Sequence, residues 1–235
     1  MIEVIALDGD DTLWHSENLF VDTQDRFREL VRPHVDLDDR ALDERLLEVE
    51  RRNLPLFGYG VKAFTLSLIE TAIELTDGRI PGRDLHAVLE LGKALMDHPV
   101  ELLDGVREAV NALTDSYRVM VITKGDLLHQ ETKVARSDLA ELFWRVEIVS
   151  EKDEATYQRI LDRHGIDPAT FVMVGNSVRS DVLPVLAIGG RAVHVPYPVI
   201  WELDQADTDP ERPHVPMLES LADLPACVAA LQAEA

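Results

Sequence analysis

Residues 4–14 read Val4-Ile5-Ala6-Leu7-Asp8-Gly9-Asp10-Asp11-Thr12-Leu13-Trp14, an apolar run that stops abruptly in three carboxylates and a threonine. Four consecutive apolar residues are apolar on both faces of a strand, which predicts a central strand covered on both sides. Acids placed just past such a strand sit at the carboxyl end of a sheet, where open α/β folds bind ligands. Asp8 and Asp10 are two residues apart and Thr12 two further, a spacing that can aim several oxygens at one cation or one phosphorus atom.

The same pattern recurs along the chain. Residues 119–122 lead into Thr123-Lys124-Gly125-Asp126, residues 146–149 into Ser150-Glu151-Lys152, and residues 171–174 into Gly175-Asn176-Ser177. A fifth run, 192–195, follows Gly189-Gly190. Helical patterns lie between them at 102–113, 127–139, 154–164 and 181–188. Strands that alternate with helices predict an α/β fold, a doubly wound parallel-sheet (Rossmann-like) core with helices on both faces.

Residues 16–99 contain no comparable strand run. Helical periodicity spans 19–31, 37–53, 63–75 and 84–97, punctuated by Pro33, Pro55, Gly58, Gly60, Gly78, Pro81-Gly82 and Pro99. Asp36 and Asp38 are candidate N-caps and Asp77-Gly78 a candidate helix stop. The expected organisation is therefore a core domain made of 1–15 and 100–235, with a four-helix domain of 16–99 inserted after the first strand. Residues 204–216 read as a polar, proline-bearing loop and 218–231 as a closing helix.

Composition narrows the function. The 235 residues can bury a full core, and a hydrophobic content of 46% fits a globular protein. No stretch approaches the length of a membrane span, and the first strand begins too close to Met1 for a signal or transit peptide. Cys227 is the only cysteine, so neither an intrachain disulfide nor a cysteine-based zinc site is expected, and the expected location is the cytoplasm. A net charge of −21 excludes a broad basic face for nucleic acid, and reads as solubility or as adaptation to a salty interior. Of the 23 basic residues only five are lysines (62, 93, 124, 133 and 152), so a lysine at a position that chemistry requires carries weight. The eight histidines show no pair at metal-binding helical spacing. There is no P-loop or dinucleotide fingerprint, Gly58-Tyr59-Gly60 being too short to count.

Taken alone, Asp8-Gly9-Asp10-Asp11-Thr12 has competing readings. Asp-Gly is a common turn dipeptide, so a solvated turn is one. A helix-loop-helix calcium site is another, but it needs glycine and glutamate where this chain has Leu13 and Leu19. A phosphorylated receiver domain would be about half this length, with its aspartate on a later strand.

The ordered set of strand ends resembles a known family. Asp8-x-Asp10-x-Thr12 is similar to the first motif of the haloacid dehalogenase superfamily, in the branch that hydrolyses phosphate monoesters. Thr123 closing its strand resembles the second motif, and Lys152 before a helix the third. Gly175-Asn176-Ser177-Val178-Arg179-Ser180-Asp181 resembles the fourth, and the helical insertion resembles the family's cap. Asn176 departs from the pattern, because the family often places an acid there.

The resemblance implies an aspartyl-phosphate mechanism. Asp8 would attack phosphorus, and Asp10 would protonate the departing alkoxide and later take a proton from water. Mg²⁺ would be held by Asp8, Asp181 and the backbone carbonyl of Asp10, with Asn176 contributing weakly or through a metal-bound water. Thr123 and Lys152 would bind the phosphate oxygens, with Lys124 competing for the lysine's role. With Asp10 protonated, such a site carries a single net positive charge inside a strongly acidic protein. Ser177 and Ser180 read as capping or supporting residues, and Asp11 as solvent-facing or capping. Tyr59 and Lys62, between two helices of the insertion, are candidate specificity residues. Trp14 and His15 either line the entrance or pack beneath the cap.

The expected function is a magnesium-dependent phosphatase of a small phosphorylated metabolite, acting as a monomer or homodimer, with no nucleic-acid or membrane partner. A phosphomutase of the same fold and a non-catalytic phosphate-binding protein are the alternatives. Asp10 stands against the dehalogenase and phosphonatase branches, which lack an aspartate at that position.

Overall fold

The computed structural model describes residues 1–204 and 215–233; most of the loop expected at 204–216 lies outside the described residues. The chain runs from β1 (Val4–Leu7) through α1 (Glu17–Val31), α2 (Asp39–Phe57), α3 (Val61–Leu75) and α4 (Gly82–Met96). It continues with α5 (Val106–Thr114), β2 (Arg118–Lys124), α6 (Leu127–Arg136), β3 (Arg145–Val149) and α7 (Glu154–His164). It closes with β4 (Phe171–Gly175), α8 (Leu183–Ala187), β5 (Arg191–His194) and α9 (Leu224–Ala233).

Among the described residues five strands form one parallel sheet, in the order β3-β2-β1-β4-β5. Leu7 lies level with Val121 on one side and Val174 on the other, so the residues after β1, β2 and β4 leave the sheet at one edge. Strand order reverses at the β1–β4 pair, the switch point where open sheets of this kind bind ligands. Alternation along each strand feeds two cores. Ile5, Leu7, Val119, Val121, Val172 and Val174 pack with α5 and α9. Val4, Ala6, Met120, Ile122, Phe171 and Met173 pack with Tyr157, Ile160 and Leu161 of α7 and Val185 of α8. Val4–Leu7 is wholly buried, as a run apolar on both faces requires.

Several boundaries depart from the periodicity, each for a local reason. The pattern at 102–113 predicts a helix, but α5 starts only at Val106, after Gly105 in the left-handed region. Leu103 N–H instead bonds Leu13 O, at 3.0 Å, and Leu102 forms an isolated antiparallel bridge with Trp14, so this stretch is extended. The helix expected over 218–231 starts at Leu224, because Leu218 N–H bonds His194 O at 2.9 Å and extends the edge of β5. The pattern at 181–188 opens with a wide π-type turn, Val178–Val182, before α8. Pro55 does not end its helix: α2 runs two residues further and stops at Gly58, where φ is +73°. Asp38 caps α2 by accepting from Ala41 N–H at 2.8 Å.

The chain divides into two compact units. One comprises Met1–Glu17 with Val100–Ala235, the other Asn18–Pro99. The division falls two residues later than the expected 15/16 boundary, because Ser16 and Glu17 are tied back to Asp11 by backbone N–H bonds. The helical unit has its own core, including Phe27, Leu42, Leu46, Phe64, Leu68 and Val88. Its α3 and α4 approach closely at Gly92, where a Cβ would overlap the side chain of Thr65.

Helix propensity alone favours alanine over glycine by about 1 kcal/mol, but overpacking costs about 1–3 kcal/mol. Gly92→Ala is therefore expected to lower stability in denaturant unfolding, and to become neutral or stabilising in a Thr65→Ala background. Stabilisation by Gly92→Ala alone would show that the close approach is absent.

Candidate active site

The turn after β1 is built by its glycine. Gly9 O accepts from the N–H groups of Thr12, Leu13 and Trp14 at 3.3, 2.8 and 3.3 Å, folding the chain back on itself. A Cβ at Gly9 would lie 2.9 Å from Trp14 Cζ2 and 3.1 Å from Thr123 Oγ1, so a side chain there would push into both. Asp8 N–H donates to Val174 O at 2.9 Å, which carries the β1–β4 ladder one residue past the strand. The Asp8 carboxylate is thereby set at the switch point.

Three strand ends meet there through one ammonium. Lys152, in the β3–α7 loop, places Nζ 2.5 Å from Asp8 Oδ1 and 2.7 Å from Asp181 Oδ1. All three residues are buried, Lys152 at 3% exposure and Asp181 at 1%. Burial opposes the charge on Lys152, but Asp181 and Asp8 outweigh it and hold the ammonium well above its ordinary pKa. Burial likewise pushes the Asp8 carboxyl up to about 7; Lys152 lowers it, while Asp181 and Asp10 add to the rise. Asp181 is fixed at its other oxygen, where Oδ2 accepts from Ser177 N–H at 3.0 Å. A Cβ on Gly175 would overlap the Asp181 carboxylate, so the bare backbone at the end of β4 makes the room it occupies.

Asp10 is held elsewhere. Its Oδ1 accepts from Trp14 Nε1 at 2.6 Å and Lys133 Nζ at 2.7 Å, and its Oδ2 from Gln130 Nε2 at 2.8 Å. Burial would raise this carboxyl, but Lys133, Gln130 and Trp14 together hold it below the usual carboxylate range. Lys133 supplies a counter-charge to Asp10 that the expected charge balance left out. Gln130 and Lys133 were invisible to motif reading because they lie inside α6, past the second motif. Their spacing of three residues on one helix face, together with the scarcity of lysine, was the available signal.

The remaining expected residues are distributed as follows. Thr123 is buried at the end of β2, beside Gly9. Lys124 follows it and points to the opposite face of the strand. Its Nζ meets Ser180 Oγ at 2.9 Å and Asp204 Oδ1 at 2.5 Å, so it does not join the Asp8 group. Asn176 is half-buried, and its backbone O accepts from His194 Nε2 at 3.0 Å. Ser177 caps the turn after β4, its Oγ accepting from Ser180 N–H at 3.1 Å. Trp14 is fully buried with its indole N–H on Asp10, so it packs and orients rather than lining an entrance. His15 meets Tyr197 OH at 2.7 Å. Asp11 faces no solvent: its φ is +60°, and its carboxylate takes the N–H groups of Ser16 and Glu17 at the start of α1. Burial first, and Asp10 second, push its carboxyl up to about 7. Tyr59 and Lys62 lie in the helical unit, at the turn into α3 and in its first turn.

The donor chemistry suits a hard cation. Among the described residues no three His, Cys, Asp or Glu side chains form a metal-binding group. Asp8 and Asp181 nevertheless converge closely enough for one cationic nitrogen to touch both, and both offer oxygen. Thr12 Oγ1, buried and without a partner, leaves a further oxygen beside this turn.

A sequence model of the haloacid dehalogenase-like hydrolases matches residues 2–189. The chain belongs to this family of hydrolases. A haloacid dehalogenase-like family hydrolase from Xanthomonas campestris is 46% identical, over 99% of this chain and 93% of that one, with a TM-score of 0.88. A 2-haloacid dehalogenase from Pseudomonas syringae shares the fold at 22% identity, over 98% of this chain and 100% of that one, with a TM-score of 0.64. So does a HAD-hydrolase from Bacillus subtilis bound to magnesium, at 12% identity, over 95% and 96% of the two chains, with a TM-score of 0.65. No curated protein matches the sequence. Among the described residues no helix is long and apolar enough to cross a membrane.

The Lys124–Asp204 pair yields a pH test that leaves the family's motif acids intact. Burial raises the Asp204 carboxyl, but Lys124 and the Ser177 and Ser180 hydroxyls lower it further, so its folded pKa lies below the ordinary 3.8. A depressed carboxyl contributes stability that is present above the unfolded pKa and is lost as pH falls through the folded one. The stability advantage of wild type over Asp204→Asn should be full at pH 6 and shrink below about pH 4. Urea midpoints at pH 6 and pH 3 measure it, and an advantage independent of pH would contradict the pairing.

Proposed function

We propose that this hydrolase is a magnesium-dependent phosphatase that cleaves a small phosphorylated metabolite through an aspartyl-phosphate on Asp8. The observation that carries this reading is Asp10, a second carboxyl two residues from Asp8 with both oxygens fixed. A departing halide needs no proton, whereas a departing alkoxide does, so a dedicated proton carrier beside the nucleophile favours phosphate esters over haloacids.

An Asp8 oxygen attacks phosphorus as the bond to the leaving oxygen breaks, and Asp10 supplies that oxygen's proton. Water then attacks the phosphoryl group, gives a proton to Asp10, and releases inorganic phosphate and Asp8. The carboxylate form of Asp10 suits the second half. Binding of a phosphate dianion beside it raises its proton affinity and prepares the first half. Lys152 and Thr123 balance charge on the phosphoryl oxygens. Asp8, Asp181 and the Asp10 backbone carbonyl are the ligands assigned to Mg²⁺, with Asn176 in a supporting place; when bound, the ion neutralises phosphoryl charge. The two lysines offset two of the three carboxylates, so a divalent cation leaves one net positive charge, enough to draw a phosphate dianion into an acidic protein. The helical unit is assigned the role of cap, with Tyr59 and Lys62 as its candidate specificity residues.

Purified protein with Mg²⁺ should release phosphate from some member of a panel of sugar phosphates, nucleotides and phosphoacids, and EDTA should abolish the release. Chloride release from 2-chloropropionate without phosphate release would sink the phosphatase reading. Asp8→Asn should abolish turnover yet fold normally, because Lys152 and Asp181 remain as a one-to-one pair; unchanged turnover would remove Asp8 as nucleophile. Asp10→Asn should lower kcat by about 10²–10⁴-fold. Substitutions at Tyr59 and Lys62 should change KM unequally across the active substrates, and equal shifts on all of them would remove these residues from specificity.

A further inference from the structure

We propose that Lys133 and Gln130, on one face of α6, are positioning residues that hold the Asp10 carboxyl in the attitude proton transfer requires, an inference that rests on the phosphatase reading above. No motif of the family resemblance includes either residue. Lys133 Nζ bonds Asp10 Oδ1 at 2.7 Å and reaches Ser16 Oγ at 3.3 Å, so the ammonium spans the turn that follows β1. Gln130 Nε2 takes the other carboxylate oxygen at 2.8 Å and the Lys124 backbone O at 3.0 Å. With Trp14 on Oδ1, the carboxylate is gripped from two directions and cannot rotate without breaking a bond to each.

Two features argue that this grip is more than a means of docking α6. The amide of Gln130 is orientated by two acceptors, which leaves its Oε1 buried with no partner. An unsatisfied buried acceptor costs about 1–3 kcal/mol, and an apolar side chain at this position would dock the helix without it. The second feature is composition. Arginine outnumbers lysine in this chain by 18 to five, yet three of the five lysines (124, 133 and 152) end on acids at the carboxyl edge of the sheet. An ammonium is a compact charge that fits a single carboxylate oxygen where a guanidinium fork demands more room.

Displacement of a catalytic group by about 1 Å can cost about 10²-fold in rate. The loss should fall on the step that needs the proton. The test compares kcat/KM, which reports events through departure of the leaving group, for an alkyl phosphate and for p-nitrophenyl phosphate, whose stable phenolate leaves unaided. Lys133→Met should lower kcat/KM for the alkyl ester by about 10–10²-fold and for the aryl ester far less. Lys133→Arg should recover part of the loss, and Gln130→Met should show the same leaving-group dependence. Equal losses on both esters would overturn the proposal in favour of a structural or phosphate-binding role.

A crystal structure of Lys133→Met provides a readout independent of turnover. An Asp10 carboxylate displaced or disordered supports positioning; one left in place refutes it, whatever the activity. Should Lys133→Met fail to fold, Gln130→Met carries the same measurements. If wild-type protein releases phosphate from nothing, the phosphatase reading has failed, and the crystal structure alone decides whether Lys133 positions Asp10.

Discussion

One buried ammonium organises the carboxyl edge of the sheet. Lys152 touches Asp8, 144 residues away in sequence, and Asp181, 29 residues away, and so fastens the loops after β1, β3 and β4 to a common point. Removing the ammonium of such a buried group leaves uncompensated carboxylates and typically costs about 3–5 kcal/mol. The arrangement is also unbalanced, with two carboxylates sharing one positive charge. Burial gives Asp8 its raised proton affinity, and the imbalance makes the same point attractive to a further cation. Stability and chemistry are drawn from one cluster.

Around this cluster, three nearly adjacent carboxylates are given different work by different partners. Asp8 faces Lys152, Asp10 faces α6, and Asp11 turns back onto the backbone amides that open α1. Gly9 permits the separation, because only a residue without a side chain fits between Trp14 and Thr123. The left-handed conformation of Asp11 completes it by sending the chain back towards Trp14. Asp10 and Asp11 consequently move in opposite directions, one held down as an ion and the other pushed up by burial.

The parallel sheet was legible because its central strands β1, β2 and β4 are buried on both faces and carry uninterrupted apolar runs. The edge strand β3, by contrast, is broken by Glu147 and partly exposed. Helix onsets were less legible. Leu102 and Leu103 fit a helical period, yet they form an isolated bridge against Leu13 and Trp14, a tertiary pairing that overrides local pattern. Pro55 reads as a stop but is accommodated in the last turn of α2. At the site, the acids and Lys152 were legible from their places after strands. Trp14 was ambiguous because an indole after a strand can face solvent or core, and burial was decided by packing against the sheet.

Sequence alone determined the fold class, through runs that must be covered on both sides, and the order in which acids, a threonine and lysines arrive at strand ends. Those properties follow from local pattern and chain direction. Only the tertiary structure decided which charges meet. Lys152 rather than Lys124 reaches Asp8, because consecutive residues of a strand point to opposite faces and Lys124 is carried to Asp204. Lys133 and Gln130 reach Asp10 because α6 lies alongside the turn after β1. Coulomb pairing acts over a few ångströms, and sheet register, not separation along the chain, sets which groups come within that range.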